Sequence, residues 1–188
     1  MARSLVLIFA KAPRMGLGKT RLARGIGVAR AWRLNRAMQG GTCRVCIDPR
    51  WDALLCVAPD RETVARLPGV WPDRLARKAQ GTGDLGARLT RAFLRAGRRP
   101  VLAVGTDCPA MTRADLWTAI RSLRRADAVA GPATDGGYWL FGLKDAALAR
   151  RAFSNVRWSS EHALADTLAG LPAGMRIARL QTLSDVDG

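Results

Sequence analysis

Basic, glycine and carboxylate residues gather in a few short segments of this 188-residue chain, and each segment suits a particular ligand chemistry. The first segment, residues 11–21, combines two glycines with four basic side chains. Glycine lets the backbone approach a ligand closely, and free amides at the start of a helix attract anions. We therefore expect an anion site here, formed by Lys11, Arg14, Gly16, Gly18 and Lys19.

A P-loop is an alternative for this first segment, since Gly18, Lys19 and Thr20 fit the end of that motif. The first glycine of a P-loop would fall at position 13, where the chain has Pro13. Proline has no amide to offer a phosphate, so another kind of anion-binding loop is favoured. An exposed basic turn without a ligand is the remaining alternative.

The second segment is Gln80-Gly-Thr-Gly-Asp-Leu-Gly86, directly before a predicted helix over residues 84–96. Asp84 has the type and position of a helix cap. A glutamine side chain carries both a donor and an acceptor, which suits the edge of a base or a sugar. We assign Gln80, Gly81, Gly83 and Asp84 to a nucleotide site.

Three further segments carry carboxylates. Asp107 follows a predicted strand in a turn stiffened by Pro109, and such a carboxylate suits Mg²⁺, which takes one or two carboxylates with substrate phosphates. An Asx-turn is the alternative for Asp107. Asp135 opens the block Asp135-Gly-Gly-Tyr138, where the paired glycines leave space at a ligand. Asp185 and Asp187 offer two more carboxylates near residue 188.

The elements that position these segments follow from hydrophobic patterning. Apolar runs predict strands, and apolar residues at helical spacing predict helices, one of them with a capping-box-like pair at Thr112 and Asp115. Gly40–Gly41 is expected to weaken the helix over 29–37. The strands are predicted at 5–9, 53–57, 100–104, 128–130, 138–143 and 175–180; the helices at 20–37, 84–96, 112–125 and 160–169; and a loop at 61–79.

Strands and helices alternate, which predicts one domain over residues 1–188: an α/β fold with a mainly parallel sheet and helices on both faces. Ligand sites in such sheets lie beyond the carboxyl ends of the strands. No apolar run reaches the roughly 20 residues that a bilayer requires, and no signal peptide is evident. We expect a cytoplasmic protein without membrane contact.

The net charge of +16, from 31 Lys and Arg against 15 Asp and Glu, favours anionic partners. These basic residues are spread along the chain without interleaved aromatics, so nucleic acid is a less favoured partner than a small anion. Cys43 and Cys46 have C-x-x-C spacing, but no second ligand pair accompanies them. We interpret them as buried residues rather than a zinc site.

Six blocks of the chain resemble, in order, a family of small bacterial proteins named as glycosyltransferases or as transferases associated with radical-SAM and selenium or arsenosugar genes. The resemblance covers nearly the whole chain. The blocks are residues 9–14 leading to 18–22, Gln80-Gly-Thr-Gly-Asp-Leu-Gly86, Gly105-Thr-Asp-Cys-Pro109, residues 131–138, Trp158-Ser-Ser-Glu-His162 and Asp185-Val-Asp187.

The resemblance implies the nucleotide-diphospho-sugar transferase (GT-A) fold, a Rossmann-like three-layer α/β/α structure with a mostly parallel, mixed sheet. It also implies that Arg14 and Lys19 grip the nucleotide phosphates, that Gln80 contacts the base or sugar, and that Asp107 binds a divalent metal, Mg²⁺ or Mn²⁺. Asp187 is a second candidate metal ligand. The acceptor side would be lined by Asp135, Gly136, Gly137, Tyr138, Trp158 and His162.

Three functions are compatible with these residues. The leading hypothesis is glycosyl transfer from a nucleotide sugar to a small acceptor, with Asp135 or His162 as base and Lys19 offsetting charge on the diphosphate. The alternative is nucleotidyl transfer, in which an NTP reacts with a phosphorylated acceptor and pyrophosphate leaves. A non-catalytic binder of nucleotide or nucleic acid is the third hypothesis, and binding to nucleic acid would weaken steeply with salt.

Overall fold

The computed structural model describes residues 3–16 and 19–186. Its strands are Leu5–Lys11 (β1), Asp52–Ala58 (β2), Arg77–Ala79 (β3), Val101–Val104 (β4), Ala128–Pro132 (β5), Tyr138–Leu143 (β6) and Ile177–Arg179 (β7). They form one seven-stranded sheet in the order β3-β2-β1-β4-β6-β5-β7. All neighbouring pairs are parallel except those of β6, which runs antiparallel to both β4 and β5.

Helices cover both faces of this sheet. Along β1 the side chains alternate, so that Val6 and Ile8 join one apolar cluster while Leu5 and Leu7 join the other. The helices are Thr20–Ile26 (α1), Val28–Cys46 (α2), Leu85–Arg95 (α3), Arg113–Ser122 (α4), Ala149–Ala152 (α5) and Ala163–Ala169 (α6), with 3₁₀ helices at Asp60–Val64 and Ala146–Leu148. Residues of α2 and α4 pack in the first cluster and residues of α3 and α5 in the second. The predicted three-layer α/β/α fold with a mostly parallel, mixed sheet is therefore confirmed.

The direction of β6 brings two of the chemical segments together. Val104, the last residue of β4, pairs with Leu140, and the Gly105 amide donates to the Trp139 carbonyl at 3.4 Å. Because β6 runs antiparallel, its first residues lie at the same sheet edge as the last residues of β4. The segments around Asp107 and Asp135 consequently meet.

The expectation that Gly40–Gly41 loosens its helix is wrong, since α2 continues to Cys46. A Cβ atom on Gly40 would lie 2.7 Å from the Gly69 carbonyl oxygen. Glycine at this position thus allows the helix to pack closely against the turn at Gly69, and this contact outweighs its low helix propensity.

The predicted loop at 61–79 contains regular structure that its pattern did not reveal. The 3₁₀ helix Asp60–Val64 and the edge strand β3 both lie in or overlap this range. β3 consists of Arg77, Lys78 and Ala79, which have no apolar alternation, and it forms only because it pairs with β2. Tertiary pairing rather than local preference decides such a strand.

Cys43 and Cys46 lie on the buried side of α2 in the first apolar cluster. Burial raises the pKa of the Cys43 thiol to about 11 and also raises that of Cys46. Both thiols are thus neutral side chains packed in the core at physiological pH. Among the described helices, no helix has the length and hydrophobicity needed to cross a bilayer.

Candidate active site

Lys19 and Asp107 form an ion pair at the carboxyl edge of the sheet. Lys19 has a left-handed backbone conformation, with φ of 50°, and immediately precedes α1. Its Nζ atom lies 2.7 Å from Asp107 Oδ1 and donates to the Val186 carbonyl at 2.7 Å. The Lys19 side chain is 8% exposed, whereas that of Asp107 is 44% exposed, so solvent or a ligand can reach the carboxylate.

Two cavities open on either side of this ion pair, and we refer to them together as the cleft. The basic lobe, of about 770 Å³, is lined by Lys11, Gln80, Gly81, Gly83 and Arg88. The acidic lobe, of about 660 Å³, is lined by Asp135, Tyr138, Trp158, Glu161 and Asp185. Both lobes also include Lys19, Leu85 and Asp107, which therefore form their common boundary.

The turn that carries Asp135 is held by glycine. Asp135 Oδ1 accepts a hydrogen bond from the Gly137 amide at 2.8 Å, which is an Asx-turn. Gly136 has φ of +84°, and a Cβ atom there would lie 2.2 Å from the Glu161 carbonyl oxygen. The Gly136 carbonyl in turn accepts from the Leu164 amide at 3.1 Å. These contacts fix the Asp135 turn against the segment that carries Glu161.

Aromatic rings form another wall of the acidic lobe. The rings of Tyr138 and Trp158 meet edge to face with centroids 6.5 Å apart. The Tyr138 hydroxyl is buried, and burial raises its pKa, so it remains protonated and is unsuited to act as a base. A Cβ on Gly86 would lie 3.0 Å from Trp158 Nε1, which shows that this glycine allows the indole to pack at the start of α3.

Residues 184–186 run along the Asp107 turn and bring Asp185 to the cleft. The Val186 amide donates to the Asp107 carbonyl at 2.9 Å, and Cys108 Sγ contacts the Ser184 carbonyl at 3.2 Å. Burial, followed by the negative charges of Asp185, Asp107 and Asp135, raises the pKa of Cys108 to about 11. The negative charges of Asp107, Asp135 and Asp185 thus all act on this thiol.

The carboxylates suit a hard divalent cation in their chemistry. Asp107, Asp135 and Asp185 all line the acidic lobe and carry only oxygen donors. Within residues 3–16 and 19–186, no three acidic, histidine or cysteine side chains are close enough to form a ready-made metal site. Mg²⁺ does not require one, since it commonly takes one or two carboxylates and completes its coordination with substrate phosphates and water. The residues fit a cation that binds together with a diphosphate.

A model of the family described as "Uncharacterized protein conserved in bacteria (DUF2064)" matches residues 42–160. The chain belongs to this family. The matched range of the DUF2064 model includes the glycine segment at Gln80, Asp107, the Asp135 turn and Trp158. Lys19 and Asp185 lie outside it. No curated protein matches the chain.

Solved structures share the fold of this DUF2064 protein. A "putative nucleotide-diphospho-sugar transferase" from Desulfovibrio desulfuricans G20 is 29% identical, with a TM-score of 0.87 over 100% of this chain and 83% of that one. A CMP:2-keto-3-deoxy-manno-octonic acid synthetase complexed with CTP is 10% identical, with a TM-score of 0.62 over 99% and 93%. A Mycobacterium tuberculosis H37Rv protein in complex with manganese is 15% identical, with a TM-score of 0.56 over 100% and 94%. The last two likenesses concern the fold alone.

The structure assembles many of the predicted site residues in the cleft. Lys11, Lys19, Gln80, Gly81 and Gly83 line the basic lobe together with Asp107. Asp135, Gly137, Tyr138 and Trp158 line the acidic lobe. These residues of the predicted nucleotide side and of the predicted acceptor side thus line two adjoining lobes, and their roles stay predictions.

The side chain of Gln80, which was predicted to contact a base or a sugar, makes hydrogen bonds within the protein. Its side chain is buried, and Nε2 donates to the Ala10 carbonyl at 3.2 Å and the Cys56 carbonyl at 2.8 Å. The amide group therefore connects the ends of β1 and β2, and its donor is already used by the protein. Sequence patterning could not reveal these partners because they come from two other strands.

Arg14 and Gly16 lie at a separate cavity of about 240 Å³ between the first loop and the helices α1 and α2. Arg14 Nη2 pairs with Glu62 Oε2 at 2.6 Å, and this contact lowers the pKa of Glu62. The structure does not bring Arg14 to the lining of either lobe. Its charge is instead offset by a carboxylate that the sequence reasoning did not consider.

Three other predicted residues within the described part of the chain, Asp84, His162 and Gly136, do not line the cleft. Asp84 caps α3, accepting from the Ala87 amide at 2.8 Å. His162 precedes α6 and lies 3.8 Å from Glu161, and Gly136 supports the Asp135 turn from behind. Gly18 and Asp187 lie outside the described residues.

Leu85 and Glu161 were not predicted as site residues, and Asp185 was identified only as a carboxylate without an assigned role. Leu85 is 39% exposed, unlike the buried Leu89 and Phe93 of the same helix, and forms part of the boundary between the lobes. Glu161 and Asp185 line the acidic lobe, and both stand in blocks that carry the family resemblance. Their positions in these blocks were the sequence feature that could have identified Glu161 and Asp185 as site residues.

Proposed function

We propose that this protein is a metal-dependent transferase that uses a nucleotide-diphosphate donor. The observation that carries the proposal is the Lys19–Asp107 ion pair, which lies where the two lobes meet. A donor in the basic lobe and an acceptor in the acidic lobe would have their reacting ends at this boundary. Such an arrangement is suited to transfer of a group from one molecule to another.

The basic lobe has the charge and backbone that a diphosphate requires. Beyond the shared ion pair, Lys11 and Arg88 line it against a single carboxylate, Asp60, among the described residues. Asp60 Oδ1 accepts from the Gly81 amide at 3.0 Å and so supports the glycine segment. Gly81 has φ of +81°, a conformation that glycine adopts without strain.

Asp107 is the residue we propose to hold the divalent cation, with Asp185 as the second carboxylate. A bound Mg²⁺ or Mn²⁺ would supply positive charge at the leaving diphosphate, a contribution of a few kcal/mol in comparable sites. Lys19, the basic member of the ion pair, would add a second positive charge near the leaving diphosphate. The Mycobacterium tuberculosis protein in complex with manganese supports a metal in this fold.

Glycosyl transfer is the reaction we favour. An acceptor hydroxyl would attack the sugar carbon, its proton would pass to the Asp135 carboxylate, and the bond from that carbon to the diphosphate oxygen would break. Asp135 is a better candidate base than His162 because only Asp135 lines the cleft. The structural match to the Desulfovibrio desulfuricans protein supports this choice.

Nucleotidyl transfer is the second candidate, because the CMP:2-keto-3-deoxy-manno-octonic acid synthetase that shares the fold was solved with CTP. Incubation with NTPs and sugar phosphates, followed by a pyrophosphate assay, separates the two reactions. Steady release of pyrophosphate would favour nucleotidyl transfer, whereas release of a nucleoside diphosphate from a nucleotide sugar would favour glycosyl transfer.

The proposed function is tested by calorimetry with UDP and GDP, each with and without Mg²⁺ or Mn²⁺. We expect Asp107→Ala to weaken metal-dependent binding by about 10- to 100-fold while the melting temperature changes little. Asp73→Ala is the matched control, because the Asp73 side chain is 95% exposed and lines neither lobe. Equal affinities in wild type and Asp107→Ala would remove Asp107 from this role.

A further inference from the structure

The acidic lobe has a charge opposite to that of the chain as a whole. The chain carries a net charge of +16. Beyond the shared Lys19–Asp107 pair, the lobe is lined by Asp135, Glu161 and Asp185, while Arg21 is the sole further basic residue among its described lining. Three carboxylates that line one cavity of a basic protein give that cavity an excess of negative charge, which disfavours anions and favours cations.

Three separate segments supply these carboxylates. Asp135 comes from the turn before β6, Glu161 from the segment before α6, and Asp185 from the residues that run along the Asp107 turn. The Glu161 side chain is 80% exposed, with His162 at 3.8 Å as its partner. Asp135 is exposed and uses Oδ1 to accept from the Gly137 amide. Most of the hydrogen-bonding capacity of these two side chains therefore faces solvent.

Two aromatic side chains line the same lobe as these acceptors. Tyr138 contributes its ring rather than its hydroxyl, because the hydroxyl is buried. Trp158, partly buried, stands edge to face with Tyr138. Sugar rings have apolar C–H faces that pack against aromatic rings, and their hydroxyls donate to carboxylates. The lobe offers both kinds of contact.

We propose that the acidic lobe selects a polyhydroxylated acceptor that is neutral or cationic, and that it discriminates against a phosphorylated acceptor. This inference rests on the proposed function, because it assigns the acceptor of that reaction. A phosphate group would bring up to two negative charges beside Asp135 and Glu161, the two lining carboxylates that the proposed cation does not engage, and like charges at close range are costly. The basic lobe has the opposite bias, so phosphate groups are directed to the donor side of the cleft.

The selection has a consequence for the reaction. The alternative reaction, transfer of a nucleotidyl group from an NTP to a phosphorylated acceptor, places a phosphate in the acceptor lobe, whereas glycosyl transfer places a hydroxyl there. An acceptor lobe that disfavours phosphate therefore favours glycosyl transfer of the two candidate reactions.

The experiment compares three probes that share one ring and differ in charge: protonated glucosamine, glucose and glucose 6-phosphate. Their dissociation constants are measured by NMR at constant ionic strength, in the presence of UDP to occupy the basic lobe, and with and without Mn²⁺. We expect the dissociation constants of glucosamine and glucose for wild type to be lower than that of glucose 6-phosphate by a factor of about 10 or more.

Two variants assign the effect to the acidic lobe. Glu161→Lys reverses an exposed charge, and Asp135→Asn removes a charge while its amide oxygen can still accept from Gly137. In each we expect glucose 6-phosphate to bind about 3- to 10-fold more tightly and glucosamine more weakly, with glucose nearly unchanged. Asp73→Lys is the control for a change in overall charge, since Asp73 is exposed and outside both lobes.

Three results would overturn the inference: wild type binding glucose 6-phosphate as tightly as glucose, equal shifts in Asp73→Lys, or no binding of any probe. A UDP titration of the same samples keeps the proposed function separate. We call the order of affinities of the three probes the charge ranking. Loss of UDP binding while the charge ranking is kept would contradict the donor assignment alone. Normal UDP binding without the ranking would contradict only the inference about the acceptor.

Discussion

The basic lobe forms at the ends of parallel strands, whereas the acidic lobe forms around a strand that runs in the opposite direction. Lys11 ends β1 and Gln80 follows β3, so the basic lobe collects loops in the usual way for a parallel sheet. The acidic lobe instead collects the turn before β6, where Asp135 lies, and the segment around Asp185. Reversal of one strand thus gives a single sheet edge two lobes of opposite charge.

The two lobes also differ in what supports them. In the basic lobe, buried polar side chains such as Gln80 connect strand ends through their hydrogen bonds. In the acidic lobe, glycines allow close backbone contacts, as at Gly136. The first lobe should therefore be sensitive to loss of a polar group, and the second to addition of a methyl group.

The largest effect is expected for Gly136→Ala, which tests the support of the acidic lobe. Alanine would be strained at φ of +84°, and its Cβ would lie 2.2 Å from the Glu161 carbonyl oxygen. We expect the free energy of unfolding in urea to fall by about 2–5 kcal/mol. Protein that remains folded should bind UDP normally but lose the charge ranking of the sugar probes.

Gly174→Ala is the matched control, because Gly174 has φ of +81° with no atom within 4 Å of the added Cβ. It reports backbone strain alone, about 1–2 kcal/mol. If the two alanine variants lose equal stability, the contact with Glu161 has no part in holding the lobe.

The next largest effect is expected for Lys19→Ala, which removes the basic side chain at the boundary between the lobes. Lys19 Nζ contacts Asp107 and the Val186 carbonyl. We expect UDP to bind about 10- to 100-fold more weakly, the size of a lost charge-assisted hydrogen bond, while uridine binding changes little.

Lys144→Ala is the control for Lys19→Ala, because Lys144 is exposed and lines a different cavity. Calorimetry with UDP and uridine measures both variants. Equal losses for the nucleotide and the nucleoside would make Lys19 a structural residue rather than a phosphate ligand.

The smallest effect is expected for Glu62→Gln, which concerns the loop beside the basic lobe. The Arg14 hydrogen bond lowers the pKa of Glu62 from its ordinary value of 4.5, against the opposing effect of burial. The pair therefore stabilises the fold fully above pH 4.5, and this contribution is lost as pH falls through the lowered pKa. Wild type should be slightly more stable than Glu62→Gln at neutral pH, and the difference should vanish in acid.

Urea unfolding at a series of pH values measures this difference. UDP affinity at neutral pH should change less than about twofold in Glu62→Gln, since Arg14 does not line the basic lobe. A larger change would return Arg14 to the role of a phosphate ligand that the family resemblance implies.

Local patterns in the sequence were sufficient for the layered fold and for the sheet edge at which Lys19 and Asp107 lie. Apolar runs predicted β1, β2, β4 and β6, and Thr112 with Asp115 predicted the capping box that begins α4. The carboxyl-end rule placed the loops of Lys19 and Asp107 at one edge, because strands that flank each other end together. Periodicity and capping depend on residues within a turn or two of one another, so a sequence contains them directly.

The partners of polar side chains were decided only by the tertiary structure. The Gln80 side-chain amide donates to two strand carbonyls, and Arg14 is paired with Glu62. The acidic lobe exists only because the reversal of β6 and the course of residues 184–186 bring Asp135 and Asp185 to one cavity. Hydrogen bonds and charge clusters join residues far apart in sequence, and no local pattern encodes which distant group arrives beside them.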